Sequence, residues 1–300
     1  MDVIRPVVAG LDGSRESLAA ADWAAREALR RGLPLRLVHA WEGLPDEGTE
    51  ATLPELKAPQ YWARRMLRGA GDRLNERYPQ LSIAAEQIRK PPGPALLAEV
   101  ENAELLVIGS QGLSGVGGFL SGSVAMATVA HAGRPVVLVR AGNSAENEHL
   151  PDRDGKPSAR TPCRDVAVAV DVGGSCDALL ECAFRAAELR GAPLRAVHAW
   201  HVPLRHGIPY AEERARVRQD AEREFTALLE PWRQKFSGVF VRETMPEGRA
   251  AHVIVKAAGG AGLLVVGRRR RRAAVGSHTG PVAHALIHHV SCPVAVVPHD

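Results

Sequence analysis

Short apolar runs alternate with longer amphipathic segments along the first half of the chain. Residues 7–11 form an apolar run that ends in an Asp-Gly-Ser turn, and the helical composition that follows is stopped by Gly32 and Pro34. Continuous apolar strands that alternate with helices are typical of a parallel sheet covered on both faces, so we predict an α/β fold. The predicted strands are residues 7–11, 35–40, 81–88, 105–108 and 136–139, and the predicted helices are residues 15–31, about 61–77 and about 95–101.

The same pattern occurs a second time. Residues 7–41 recur as residues 166–200, so that Asp12 aligns with Asp171 and a His-Ala-Trp sequence ends both segments. A polar, charged and proline-containing stretch separates the two copies and is typical of a linker. We therefore predict a tandem duplication, with domains at residues 1–142 and 163–300 and a linker at residues 143–162.

A glycine-rich loop, GSQGLSGVGGFLSGSV, runs from Gly109 to Val124, between an apolar run and a segment of helical composition. Such a loop presents free backbone N–H groups at a helix N-terminus, where they can hold phosphate. A flexible glycine-serine connector is the alternative that composition alone leaves open. Because the loop and Asp12 each follow a predicted parallel strand and Ala40 lies at the end of another, we expect them to meet at one edge of the sheet.

The spacing of the glycines distinguishes between the known kinds of phosphate-binding loop. Gly109 and Gly112, nine intervening residues and then Gly122-Ser123 give the pattern G-x2-G-x9-G-S/T, which is not a Walker loop because no Gly-Lys-Ser/Thr follows. The pattern resembles the nucleotide-binding loop of the universal stress protein family, in its ATP-binding branch. With the repeat, the resemblance covers nearly the whole chain. It implies two tandem doubly wound parallel-sheet domains that are Rossmann-like and similar to the adenine nucleotide alpha hydrolases.

The resemblance also implies an ATP site in the first copy. Asp12 would accept hydrogen bonds from the ribose, the Ala40 backbone would pair with the adenine edge and Ile108 would pack on the base. As a helix cap, Asp12 would have a purely structural role instead. ADP and AMP are alternative ligands, and Mg²⁺ is compatible with the phosphates. The expected ATP-binding residues are Gly10, Leu11, Asp12, Ala40, Ile108, Gly109, Gln111, Gly112, Gly122, Ser123 and Val124.

The second copy departs from this pattern. Arg270 stands where Gly112 would align, and Pro281 replaces Ser123, which removes a backbone N–H and a hydroxyl together. We therefore expect weak or no nucleotide binding by the second copy. The residues that would form such a weak site are Asp171, Ala199, Val266, Gly267, Arg270 and Gly280.

Neither catalysis nor a metal site is predicted. Gln111 is a neutral amide, which stabilises developing charge less than an arginine would, so we expect binding rather than turnover, with a slow ATPase as the alternative. His284 and His288 are four residues apart, as metal ligands can be, but no third ligand follows at helical spacing. The four cysteines lack C-x-x-C spacing, and we expect buried, reduced thiols.

Charge and composition bear on the partners. The net charge is only +4, and aromatic residues make up 4% of the chain, which argues against nucleic acid as the partner. The five consecutive arginines could clamp phosphates, bind another polyanion as a regulator, or simply be solvated. These arginines are Arg268, Arg269, Arg270, Arg271 and Arg272.

The apolar runs are too short to span a membrane, and a cytoplasmic protein is expected. The family resemblance implies pairing through the last strands, at residues 136–139 and 294–297, as a pseudo-dimer within the chain, and it allows a homodimer. The function expected is that of a stress-response regulator that depends on its bound nucleotide.

Overall fold

The computed structural model describes residues 4–42, 54–111, 123–202, 211–270 and 279–300. The chain divides into two compact units, Met1–Ser144 and Ala145–Asp300. In each unit, helices alternate with the strands of a parallel sheet, as the hydrophobic pattern predicts.

The described residues of the first unit form five strands in the spatial order β3-β2-β1-β4-β5, and every neighbouring pair is parallel. Strands β2 and β3 are therefore added on one side of β1, and β4 and β5 are added on its other side. Such a reversal opens a crevice at the carboxyl ends of β1 and β4. The elements are β1 (Val7–Gly10), α1 (Arg15–Arg31), β2 (Leu35–Trp41), α2 (Pro54–Arg77), β3 (Ile83–Arg89), α3 (Pro92–Glu101), β4 (Leu105–Ser110), α4 (Ser123–His131) and β5 (Val136–Arg140).

Helix α1 has clear local signals at both ends. Ser14 is the N-cap, with its hydroxyl accepting from the Ser17 N–H, and Gly32 ends the helix in the left-handed conformation at φ 64°. Its inner face is rich in buried alanine, including Ala20, Ala24 and Ala28, each 0% exposed. Small side chains let this helix lie close against the sheet, which brings its first turn next to β4.

The second unit repeats the arrangement with strands in the order β10-β9-β6-β7-β8, again parallel throughout. A 3-10 turn at Ala145–Glu148 precedes them. The elements are β6 (Val166–Ala169), α5 (Asp177–Arg190), β7 (Leu194–Val197), α6 (Ala211–Lys235), β8 (Val241–Thr244), α7 (Ala250–Ala257), β9 (Leu263–Arg269), α8 (Pro281–His289) and β10 (Val294–His299).

The polar stretch after the first unit packs within the second unit. Leu150 donates its N–H to the oxygen of Pro162 over 2.9 Å, and Arg164 donates to the oxygen of Glu148 over 2.8 Å. An added Cβ at Gly262 would lie 3.2 Å from the oxygen of Glu148, so the stretch lies close to the start of β9. The domain and linker boundaries given above remain predictions.

Two expectations need correction. Helix α2 begins at Pro54 rather than near residue 61, because proline fits the first turn of a helix, where the N–H groups have no partners within the helix. Of the four thiols expected to be buried, only Cys176 is; Cys163, Cys182 and Cys292 are partly exposed. Among the residues that the structure describes, no helix combines the length and apolar character that crossing a membrane requires.

Candidate functional site

The turn between β1 and α1 presents a carboxylate at the crevice. The Oδ1 atom of Asp12 accepts hydrogen bonds from the N–H of Ser14 over 2.9 Å and from its hydroxyl over 2.6 Å. Ser14, rather than Asp12, caps α1. The carboxylate is therefore held in place by the capping residue, and Asp12 is open to solvent on one side while its carboxyl group is partly desolvated by the turn.

The hydrogen bonds around Asp12 also affect its protonation. Partial desolvation on its own raises the pKa of Asp12, but hydrogen bonds from Ser14, from Ser17 and from its own backbone outweigh it, so the pKa lies below its ordinary value of 3.8. Asp12 is thus a charged hydrogen-bond acceptor at neutral pH.

Gly109, at the end of β4, lies directly against the first turn of α1. An added Cβ at this position would lie 2.7 Å from the carbonyl carbon of Glu16 and 2.7 Å from the nitrogen of Ser17. Only glycine allows this approach of strand and helix. The first glycine of the loop therefore has a packing role in addition to any role in phosphate binding.

These elements enclose a cleft of about 220 Å³ in the first unit. Its walls are mainly apolar, from Val38 of β2, Leu96 of α3 and Ile108 of β4, and Asp12 provides the carboxylate. The full lining is Gly10, Leu11, Asp12, Ser17, Val38, Ala40, Pro92, Leu96, Ile108, Gly109, Val124 and Ala125. The arrangement is chemically suited to a flat apolar group linked to hydroxyls.

The structure brings together many of the residues expected from the sequence. Seven line the cleft, namely Gly10, Leu11, Asp12, Ala40, Ile108, Gly109 and Val124. Gln111 is exposed and is not among the lining residues. Gly112 and Gly122 lie outside the described residues, and Ser123 is the first residue of α4.

Five lining residues were missed: Ser17, Val38, Pro92, Leu96 and Ala125. The repeat offers a signal for one of them, because Ser17 and Cys176 align, each five residues after the aligned Asp12 or Asp171. In the structure, Cys176 donates its thiol hydrogen to the oxygen of Asp171 over 3.1 Å. No comparable sequence signal identifies Pro92 and Leu96, because they reach the cleft through the packing of α3 on β1 and β2.

In the second unit, the carboxylate that corresponds to Asp12 is paired with an arginine side chain of the same unit. The guanidinium of Arg269 donates to Oδ2 of Asp171 over 3.0 Å, and an added Cβ at Gly174 would lie 2.8 Å from that guanidinium. At Gly267, an added Cβ would lie 2.6 Å from Nε2 of His299. Arg269 therefore pairs with the carboxylate that corresponds to Asp12, and His299 lies against the glycine that corresponds to Gly109.

The other residues of the expected second site are arranged differently from those of the first. Ala199 follows the end of β7, whereas Ala40 lies within β2. Val266 is buried in β9, and Arg270 donates its N–H to the oxygen of His299 over 2.7 Å. Gly280 is the N-cap of α8, with Pro281 as its first residue.

The arginine run is not uniformly solvated. Arg268 is buried in β9, and its pKa is lowered by burial and then by the nearby charge of Arg270. Arg269 pairs with Asp171, and Arg271 and Arg272 lie outside the described residues.

In the described part of the chain, the two histidines on α8 are not part of a larger group of metal-ligating side chains. The rings of His284 and His288 lie 4.5 Å apart between centroids. Within the described ranges, no three His, Cys, Asp or Glu side chains are grouped so that they could hold a metal ion.

Comparison with known proteins relates this chain to one family. The model of the universal stress protein family matches residues 4–140 and 163–298. Universal stress proteins of Mycobacterium tuberculosis and Mycobacterium bovis are each 30% identical to the chain over 300 residues, covering 97% of the chain and 96% of the relative.

A solved structure extends the similarity to the fold. The crystal structure of a universal stress protein from Archaeoglobus fulgidus matches with a TM-score of 0.66 and 16% identity, covering 98% of this chain and 96% of that one. At this identity, the match concerns the fold alone.

Proposed function

This chain belongs to the universal stress protein family, and we propose that its first unit binds an adenine nucleotide, with ATP as the expected ligand. The observation that carries the proposal is the apolar cleft at the ends of β1 and β4, with the Asp12 carboxylate among its lining residues. A nucleoside has a flat apolar base joined to a sugar with two adjacent hydroxyls, and the cleft offers a complement to each.

The base would lie between the apolar walls. Val38, Leu96 and Ile108 provide the surface, and the Ala40 backbone at the end of β2 provides polar groups for the adenine edge. The cleft of about 220 Å³ is smaller than the roughly 300–1,000 Å³ of pockets that enclose a whole drug-sized ligand. We infer that it takes the base and part of the ribose, with the phosphates outside it.

The ribose and phosphates would be held by different ends of the site. Asp12 is charged and exposed, and Ser14 occupies its Oδ1, which leaves Oδ2 to accept from ribose hydroxyls. Val124, in the first turn of α4, also lines the cleft. A helix N-terminus favours anions, so the phosphates would lie there, with Gly112, Gly122 and Ser123 as their expected partners.

We propose that the nucleotide acts as a regulatory ligand whose occupancy tunes a stress-response contact. Gln111 would stabilise the developing charge of phosphoryl transfer poorly, which favours binding over turnover. If the protein were instead a slow ATPase, it would release ADP over many turnovers, above the level of a buffer control.

The internal pairing of the second unit supports assigning the nucleotide to the first. Arg269 already neutralises Asp171, and Pro281 at the start of α8 has no N–H to offer a phosphate. A bound nucleotide would have to displace the guanidinium from the carboxylate. We therefore expect one nucleotide per chain.

The repeat supplies a matched pair of variants that tests the proposal by calorimetry. Asp12→Asn keeps an oxygen for Ser14 but removes the charge, so ATP and AMP should bind more weakly by about 1–2 kcal/mol, the difference between charged and neutral hydrogen bonds. Asp171→Asn should leave affinity unchanged. Equal affinities for both variants and the parent, or loss only in Asp171→Asn, would overturn the assignment.

A further inference from the structure

A thiol and an imidazole lie side by side in the stretch that precedes β6. Sγ of Cys163 is 3.8 Å from Nε2 of His149, within the longer reach of hydrogen bonds to sulfur. Both side chains are partly exposed. The pair belongs to the second unit and has no part in the nucleotide proposal.

The main chain holds this pair together from both sides. His149 and Cys163 form an antiparallel β-bridge. On one side of the bridge, Leu150 bonds to Pro162 over 2.9 Å, and on the other, Arg164 bonds to Glu148 over 2.8 Å. The contact between the two side chains is therefore supported by the two main-chain hydrogen bonds of this bridge rather than by side-chain rotamers alone.

The second ring nitrogen determines what His149 can do. Its Nδ1 atom lies against the main-chain oxygen of Thr161, which can only accept a hydrogen bond, so Nδ1 carries the hydrogen. In the neutral ring, Nε2 then has a lone pair, and this lone pair faces the thiol. A nucleophile beside a base whose other nitrogen is held by a third group is the arrangement that activates cysteine.

The other described thiols provide a comparison. Cys176 is 3% exposed and donates its hydrogen to the oxygen of Asp171, and burial raises its pKa. Such a thiol is protonated and inaccessible, hence slow to react. Cys182 and Cys292 are partly exposed, as Cys163 is, so a difference in their rates would have to come from their surroundings.

We propose that Cys163 and His149 form a reactive-thiol site that exchanges with low-molecular-weight disulfides. His149 accepts the thiol proton, and the Cys163 thiolate attacks one sulfur of the disulfide. A new S–S bond forms as the old one breaks, and the departing thiolate takes the proton from His149. The net products are one mixed disulfide at Cys163 and one free small thiol, with no other oxidant consumed.

The test uses the full chain and dithiodipyridine, an uncharged disulfide that releases a coloured thione, with mass spectrometry to locate each modified cysteine. Cys163 should be modified first, and Cys163→Ser should abolish the fast phase. His149→Gln should slow Cys163 about threefold or more. A tenfold loss of thiolate would slow the exchange by only about threefold, because the change in nucleophilicity partly offsets it.

Two controls separate this role from a structural one. His289→Gln, which changes another exposed histidine of the same unit, should leave the rate at Cys163 unchanged. In a folded His149→Gln protein, the buried Cys176 should remain slow, whereas unfolding would accelerate it. If Cys163 reacts no faster than Cys182 and Cys292, or if it keeps its rate in His149→Gln while Cys176 stays slow, the proposal is wrong.

Discussion

The imidazole of His39 donates its Nδ1 hydrogen to the main-chain oxygen of Leu11, 2.7 Å away, at the point where β1 ends. The second unit repeats this relationship, with His198 and the oxygen of Val170 at 3.1 Å. The histidine lies in β2 in the first unit and directly after β7 in the second. In both units its hydrogen bond is accepted by the first main-chain oxygen after the end of β1 or β6. This bond fixes the start of the turn that carries Asp12 or Asp171.

We expect His39→Leu to destabilise the first unit by about 1–3 kcal/mol, because the Leu11 oxygen loses its donor. His198→Leu should cost a similar amount in the second unit, where the ring also packs on Phe225 at 5.6 Å between centroids. Denaturant unfolding would measure both losses. Only His39→Leu should also weaken ATP binding, and an equal effect of the two variants on ATP affinity would contradict the assignment of the site to the first unit.

Gly109 and Gly267 form a second matched pair. In Gly109→Ala the new methyl group would lie 2.7 Å from the backbone of α1, so either the helix or the strand must shift. We expect this shift to lower the free energy of unfolding by about 1–3 kcal/mol and to weaken ATP binding. In Gly267→Ala the new methyl group would meet the ring of His299, which is a side chain rather than backbone and can rotate away. Thermal unfolding should therefore show the larger loss for Gly109→Ala. A larger loss for Gly267→Ala would contradict this account.

Ser14→Ala should raise the pKa of Asp12 towards its ordinary value, because it removes the hydroxyl that donates to Oδ1. NMR titration of the Asp12 carboxyl carbon would measure the change. The variant also removes the N-cap of α1, which should cost about 0.5–2 kcal/mol of stability. A pKa that does not move would show that the Ser14 hydroxyl does not stabilise the carboxylate.

The lowered pKa of Asp12 also sets the sign of its pH dependence. A carboxyl group whose folded pKa lies below its unfolded value contributes stability above the unfolded pKa and loses it as pH falls through the folded pKa. Asp12 should therefore stay ionised from neutral pH down to about pH 5, and its contribution to ATP binding should stay constant over that range. A loss of ATP affinity near pH 6 that Asp12→Asn abolishes would contradict this.

The pair formed by Arg269 and Asp171 should matter little for stability. Its side chains are 55% and 71% exposed, and exposed ion pairs contribute about 0–1 kcal/mol. Arg269→Gln, which introduces the residue found at the aligned Gln111, should therefore change the free energy of unfolding by less than about 1 kcal/mol. The number of ATP molecules per chain should stay the same, because Pro281 still lacks its N–H. A second bound ATP would show that the guanidinium alone blocks that unit.

Local features of the chain were predictable from the sequence. Helix α1 occupies residues 15–31 as predicted, because the Asp-Gly-Ser turn and Gly32 act on their immediate neighbours. The repeat and the apolar runs predicted two copies of a parallel α/β unit. Because the carboxyl ends of parallel strands lie at the same edge of a sheet, the sequence also predicted that Asp12, Ala40 and Gly109 would meet at one edge, and in the structure all three line one cleft.

Contacts between distant segments were decided only by the tertiary structure. The packing of α3 brings Leu96 into the cleft, the side chain of Arg269 reaches Asp171, and a β-bridge places His149 beside Cys163. Turn and helix signals depend on neighbours in the chain, whereas these contacts depend on how close two elements approach and which rotamers then fit. The sequence by itself therefore determined the elements and the edge of the sheet where the site lies, and the packing determined which side chains complete it.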